Sequence, residues 1–151
     1  MLDEARNNFI CSVCVRGETA GVCFADVSTG ELYGTVLHKD LGEQLKNEMA
    51  RYSPREILVN SGVLDYRELP AFIKNRLSAS LELREDSAFD DAACVDAVCA
   101  QFHPKTLTDL KLDDKPELTA ALGALFSYLK ETQRTGIERM STLQVYSGAQ
   151  Y

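Results

Sequence analysis

Apolar residues in this chain come first in short unbroken runs and later in helical stripes. Phe9 to Val15, FICSVCV, is a continuous run with β-branched and aromatic members. It is too short for a buried helix and predicts a strand covered on both faces. Arg16 to Thr19 predicts a turn, Gly21 to Val27 a second strand, and Ser28 to Glu31 a further turn into a third strand, Leu32 to Leu37. Loops this short predict an antiparallel meander. From Asp40 the period becomes helical: Leu41, Leu45, Met49 and Tyr52 share one face, Asp40 and Glu43 have capping-box spacing, and Ser53-Pro54 stops the helix.

Glu56 to Asn60, EILVN, is a strand reached by a helical crossover, so it should run parallel to an earlier one. Asp65 to Leu77 carries Leu69, Phe72, Ile73 and Leu77 on one helical face, with Pro70 delaying or kinking the first turn. Ser80 to Glu85 alternates like a half-exposed edge strand. A helix over Asp90 to Phe102 follows, then a loop from His103 to Asp113. A long helix opens at Asp114-Lys115-Pro116-Glu117, with Asp114 as cap, Pro116 in the first turn and Leu118, Ala121, Leu122, Leu125 and Leu129 as its buried stripe. After Gln133 the chain is polar and irregular, and only Leu143 to Tyr146 resembles a strand. These elements predict an α/β fold with a five-stranded mixed sheet of order 3-2-1-4-5, flanked by helices, which is the ribonuclease H-like architecture.

At 151 residues and 45% hydrophobic, the chain is sized for one core. With 16 basic against 23 acidic residues its formal charge is −7, the wrong sign for a surface that neutralises phosphates. The five cysteines lie in apolar runs and are odd in number, which suggests a reducing compartment. The first residues, MLDEARNNF, lack a signal-peptide pattern, and no apolar run approaches membrane-spanning length. A soluble, cytoplasmic protein is expected.

Cys11 and Cys14 have CxxC spacing, but three residues apart on a strand they point to opposite faces and predict buried structural thiols. Cys94 and Cys99 are poorly spaced on their helix, and His38 and His103 lack partners, so no metal site is expected. Nucleases of this architecture hold two metal ions with carboxylates, one normally in the middle of the first strand. FICSVCV has no acid, and the end of the fourth strand offers Asn60, a weak metal ligand. Asp26 and the group Glu85, Asp86, Asp90 and Asp91 are acids, yet that group marks a solvated loop and helix start. Neither GxxxxGK[ST] nor GxGxxG occurs. In GVCFADVSTGELYG, Gly30 suits a left-handed turn position, and Asp26, Ser28 and Thr29 can bond the loop's own amides, so the polar cluster reads as a turn.

That stretch, with its surroundings, resembles the connector domain, the second domain of the bacterial DNA mismatch repair MutS family, in which a strand ending in Asp-hydrophobic-Ser-Thr/Ser-Gly turns into the next. MLDEARNN resembles the polar link leaving the mismatch-binding domain, and YSPREILV the family's P-x-E-hydrophobic-hydrophobic strand start. YLKETQR with Val145-Tyr146 resembles the exit towards the lever and core domains. The resemblance implies a connector over residues 1–133 and an exit segment over 134–151. It also implies a ribonuclease H-like fold without nuclease activity. The domain would relay conformational change between mismatch-binding and ATPase domains and would offer a docking surface to MutL. Asp91, Asp96 and Ala97 are the expected partner-facing residues. ATP, Mg²⁺ and mismatched DNA would be bound by other parts of a MutS homodimer, with no cofactor in this segment. The competing expectation is a metal-dependent ribonuclease H-like nuclease.

Overall fold

A computed structural model describes residues 8–133 and 135–147. Strands β1 (Ile10–Arg16), β2 (Thr19–Asp26) and β3 (Glu31–Leu37) form the expected antiparallel meander. Helix α1 (Leu41–Tyr52) crosses over to β4 (Glu56–Val59), which lies parallel to β1 in the register Ile10 to Glu56 and Val13 to Val59. β5 (Ser80–Leu83) lies parallel to β4 at the edge. The predicted order of these five holds, but the sheet has six strands, β5-β4-β1-β2-β3-β6. The sixth, β6 (Gln144–Val145), runs parallel to β3. Two residues are too few for periodicity to register, and its partner is more than a hundred positions earlier in the chain, so the five-strand expectation is corrected by a long-range pairing.

The two faces of the sheet carry separate cores. Cys11, Val13, Val15, Val22, Phe24 and Ile57 pack with Leu41, Leu45 and Met49 of α1 and with Leu69 and Ile73. Ile10, Cys14, Cys23 and Leu58 pack under α3 (Asp91–Gln101) and α4 (Pro116–Thr132). Cys11 and Cys14 therefore lie in different cores, as strand alternation requires. Burial pushes the Cys14 thiol up to about 11 and the Cys94 thiol likewise to about 11, so both are inert packing groups.

Several helix details differ from expectation. Asp40 is left-handed (φ 50°) and makes no side-chain cap, because a capping carboxylate needs an extended backbone beneath it. Instead Glu68 Oε2 lies where a Gly42 side chain would stand, over the first turn of α1. The expected helix from Asp65 is broken into a 3₁₀ turn (Ser61–Asp65), a short α2 (Glu68–Ala71) holding Pro70, and a π turn (Phe72–Arg76). Asp114 pairs with Lys115 Nζ at 2.9 Å and does not cap α4. The cap that does form is Asp90, which accepts the Ala93 amide at 3.0 Å. α4 buries more than its predicted stripe, including Ala120, Ala124 and Phe126, because α3 covers its outer side.

Gly21 sets the distance between α4 and the sheet. A Cβ there would lie 2.3 Å from Glu117 C and Leu118 N, both backbone atoms that cannot swing aside. Gly21→Ala should therefore lower stability by about 3 kcal/mol through displaced packing, read as a lower denaturant midpoint at unchanged slope.

Candidate functional site

Two places were candidates: the sheet positions where a ribonuclease H-like nuclease would hold metal, and the outward face of α3. In the centre of β1 stands Ser12, fully buried, its Oγ without a hydrogen-bond partner. At the end of β4, Asn60 is 8% exposed and is fully engaged with β1. Its Oδ1 accepts the Val15 amide at 2.9 Å, and its Nδ2 donates to Val15 O at 2.9 Å and to Cys14 Sγ at 3.6 Å. The side chain mimics one more residue of the parallel ladder, which requires a donor and an acceptor on the same group. A carboxylate could only accept. The donor set at these positions does not fit a divalent cation, and among the described residues no three His, Cys, Asp or Glu side chains converge on a metal-sized site.

Asp26 lies at the other end of the sheet, where β2 finishes. Its Oδ2 accepts the Asn8 amide at 3.0 Å, and its Oδ1 accepts the Ser28 amide at 3.0 Å and Ser28 Oγ at 2.6 Å. Its carbonyl accepts the amides of Thr29 and Gly30, and Gly30 takes φ +81°. Burial pushes this carboxyl up, but the hydrogen bonds from Ser28 and the Asn8 and Thr29 amides outweigh it and hold Asp26 below the usual carboxylate range. The cluster is a turn, and its acid is spent on the backbone. Beside it a cavity of about 230 Å³ is lined by Asn8, Asp26, Ser28, Arg55, Thr135 and Arg139, among others.

On α3 the three expected partner-facing residues do not share a face. Asp91 is held by Arg16, whose Nη1 lies 2.7 Å from its Oδ1 while Nη2 donates to Phe89 O at 2.8 Å. Asp96 stands exposed at the middle of the outward face, and Ala97 is half-buried at its flank. The surface around Asp96 is made of exposed Ala92, Ala93 and Ala100, with half-buried Cys99. Cys94 and Val98 are the inward pair. At the last turn, Gln101 Nε2 donates to Ile137 O at 3.0 Å and Met140 O at 2.9 Å, tying α3 to the segment after α4. Sequence reasoning missed Gln101 because both its acceptors are main-chain carbonyls.

The family model described as MutS domain II matches residues 8–144. The chain belongs to this family. It is 34% identical over 151 residues to the DNA mismatch repair protein MutS of Caldanaerobacter subterraneus subsp. tengcongensis, covering 99% of this chain and 17% of that protein. It is 30% identical over 152 residues to that of Ruminiclostridium cellulolyticum, covering 100% and 17%. This domain II therefore spans about 17% of the length of these relatives. The structure of T. thermophilus RuvC in complex with a Holliday junction substrate superposes with a TM-score of 0.55 at 9% identity, over 83% of this chain and 96% of that one. That likeness bears on the fold alone and agrees with the ribonuclease H-like architecture. No helix among the described residues is long and apolar enough to cross a membrane. Of the expected link MLDEARNN, residues 1–7 lie outside the described residues, as do Arg134 of the exit phrase and residues 148–151.

Two outcomes follow for the polar residues. Asn60→Asp removes a donor and sets a carboxylate against Val15 O, and should cost about 3 kcal/mol in chemical denaturation at neutral pH. Asp26 has a folded pKa below its unfolded one, so its contribution is present above the ordinary carboxylate value and is lost as pH falls through the folded pKa. Asp26→Ala should lower neutral-pH stability by about 2 kcal/mol and flatten the acid limb of a stability-against-pH curve.

Proposed function

We propose that this domain II is a non-catalytic connector. It relays conformational change between the mismatch-binding and ATPase portions of a MutS protein and presents the outward face of α3 to MutL. The observation that carries the docking part is the surface around Asp96. An isolated solvated helix face ordinarily carries long charged side chains, whereas Ala92, Ala93 and Ala100 leave a smooth patch with one central acid. Asp96 is the charged contact of this reading and Ala97 its apolar flank. Asp91 contributes by holding Arg16 at the start of the helix. Residues 134–151 serve as the exit towards the following domain, while ATP, Mg²⁺, mismatched DNA and the homodimer contacts are handled elsewhere in the protein, working in the cytoplasm.

The nuclease alternative is not favoured, because Ser12 and Asn60 occupy the positions that would need carboxylates. Titration of MutL onto the protein at low salt tests the reading. Asp96→Arg and Ala97→Arg should each weaken binding at least tenfold, about 1.4 kcal/mol, with thermal stability retained. Undiminished binding by both variants would remove α3 as the docking surface. Incubation with Mn²⁺ or Mg²⁺ and branched or hybrid nucleic acid should give no cleavage; cleavage abolished by Asp26→Ala would sink the connector reading altogether.

A further inference from the structure

The β3 edge of the sheet is covered by the chain's own segment Leu143–Tyr146, and the way it is held differs from the rest of the fold. The pairing is short: Tyr33 opposite Gln144 and Gly34 opposite Val145, with the Tyr146 amide donating to Gly34 O at 2.9 Å. Four side chains complete the attachment, all through Tyr146. Thr35 Oγ1, fully buried, donates to Tyr146 O at 2.5 Å. The Tyr146 hydroxyl donates to Oε1 of Glu48 at 2.6 Å, and Glu48 is only 3% exposed although it sits on α1. The Arg51 guanidinium lies 5.2 Å from the centre of the Tyr146 ring, which in turn sits 6.2 Å from the ring of Tyr52. Upstream, Met140 is fully buried and its carbonyl is fixed by Gln101, so the segment departs from a firm anchor across exposed Ser141 and Thr142.

We infer that Leu143–Tyr146 is a latch, a strand docked in cis on the β3 edge with the Tyr146–Glu48 bond as its catch, able to release while the remaining sheet stays folded. The physical case rests on two features. The docked strand contributes two residues of pairing, against seven in each of the neighbouring pairs, so its opening breaks few ladder bonds and uncovers only the partly buried Leu143 and Val145 at the core's margin. A second arrangement is also ready for the group that release would strand. A buried acid deprived of its donor is costly, but Arg51 Nη1 already lies 3.9 Å from Glu48 Oε1 on the next turn of α1. When Tyr146 leaves, Arg51 keeps the Tyr52 ring, 5.4 Å from its guanidinium, and closes on Glu48. Docked, Glu48 has the phenol with the guanidinium at ion-pair distance; released, it keeps the guanidinium, so neither state leaves the acid unpaired. The docked mode is strand addition to a sheet edge with one side chain in a specificity pocket. Where the connector reading holds, the latch is a means of passing movement to the exit segment; its existence does not depend on that reading.

Hydrogen exchange on the whole protein, read by mass spectrometry on the peptide containing Leu143–Ser147, tests the latch. In the unchanged protein this peptide should exchange at least tenfold faster than peptides from β1 and β2. Tyr146→Phe, which keeps the ring and removes the catch, should raise its exchange a further tenfold and leave β1 and β2 unchanged. Thr35→Val should act in the same direction. Exchange of 143–147 in step with β1 and β2 would mean that the strand opens only with global unfolding, and would overturn the proposal. So would an unchanged rate in both variants, or a concentration-dependent dimer in Tyr146→Phe by light scattering, which would show the strand traded between copies. None of these readouts involves MutL or nucleotide, so the latch can fail while the connector reading stands, and the reverse.

Discussion

Everything in this domain is hung on the seat of α4 against the meander. The helix begins directly over Gly21 at backbone distance, and its Leu118 side chain reaches across to Gly34, so the first turn touches two strands. From there its apolar residues fill one core and its outer side receives α3, whose Cys94 thiol points at Ala120 O at 3.5 Å. The spacing matters because a packed interior tolerates little displacement: moving α4 outward would open the core beneath it and carry α3 away from Gln101's acceptors. The position of the candidate docking face, and of the segment that returns to the β3 edge, both follow from this one approach.

Polar groups in the interior behave consistently with that architecture. Asn60, Asp26, Thr35, Glu48 and Gln101 each complete a main-chain path or a strand edge. Asn60 is the most instructive, because the sequence offers it as a weak metal ligand, and here its amide extends a ladder. An amide offers both halves of a peptide's hydrogen-bonding pattern, and a carboxylate offers one. Holding Val15 in this way and holding a cation are mutually exclusive uses of the same side chain.

Much of this was legible in the sequence because it is local. The runs FICSVCV and EILVN, the stripe on α1, the DVSTG turn and the opposed faces of Cys11 and Cys14 all depend on neighbours within a few residues. The five-strand order followed from short connections and a crossover. What escaped was non-local or dictated by tertiary context. β6 needs Tyr33 and Gln144 to meet, and the disturbance expected at Pro70 extends further than one turn, into a π turn over Phe72–Arg76. Asp40 and Asp114 have capping sequences but the wrong backbone or a competing lysine, while Asp90 caps where the expectation had only a helix start. On α3, only the folded helix shows that Asp96 stands outward with Ala97 at its flank while Asp91 is taken up by Arg16.

The β2–β3 hairpin has a mechanical meaning beyond its chemistry. Asp26 holds Asn8 on one side, and Gly30 presses against Arg139 on the other, so the incoming and outgoing stretches meet at one end of the sheet. The hairpin thereby ties together two stretches far apart in the chain, one through a carboxylate and the other through a glycine that leaves room for its backbone.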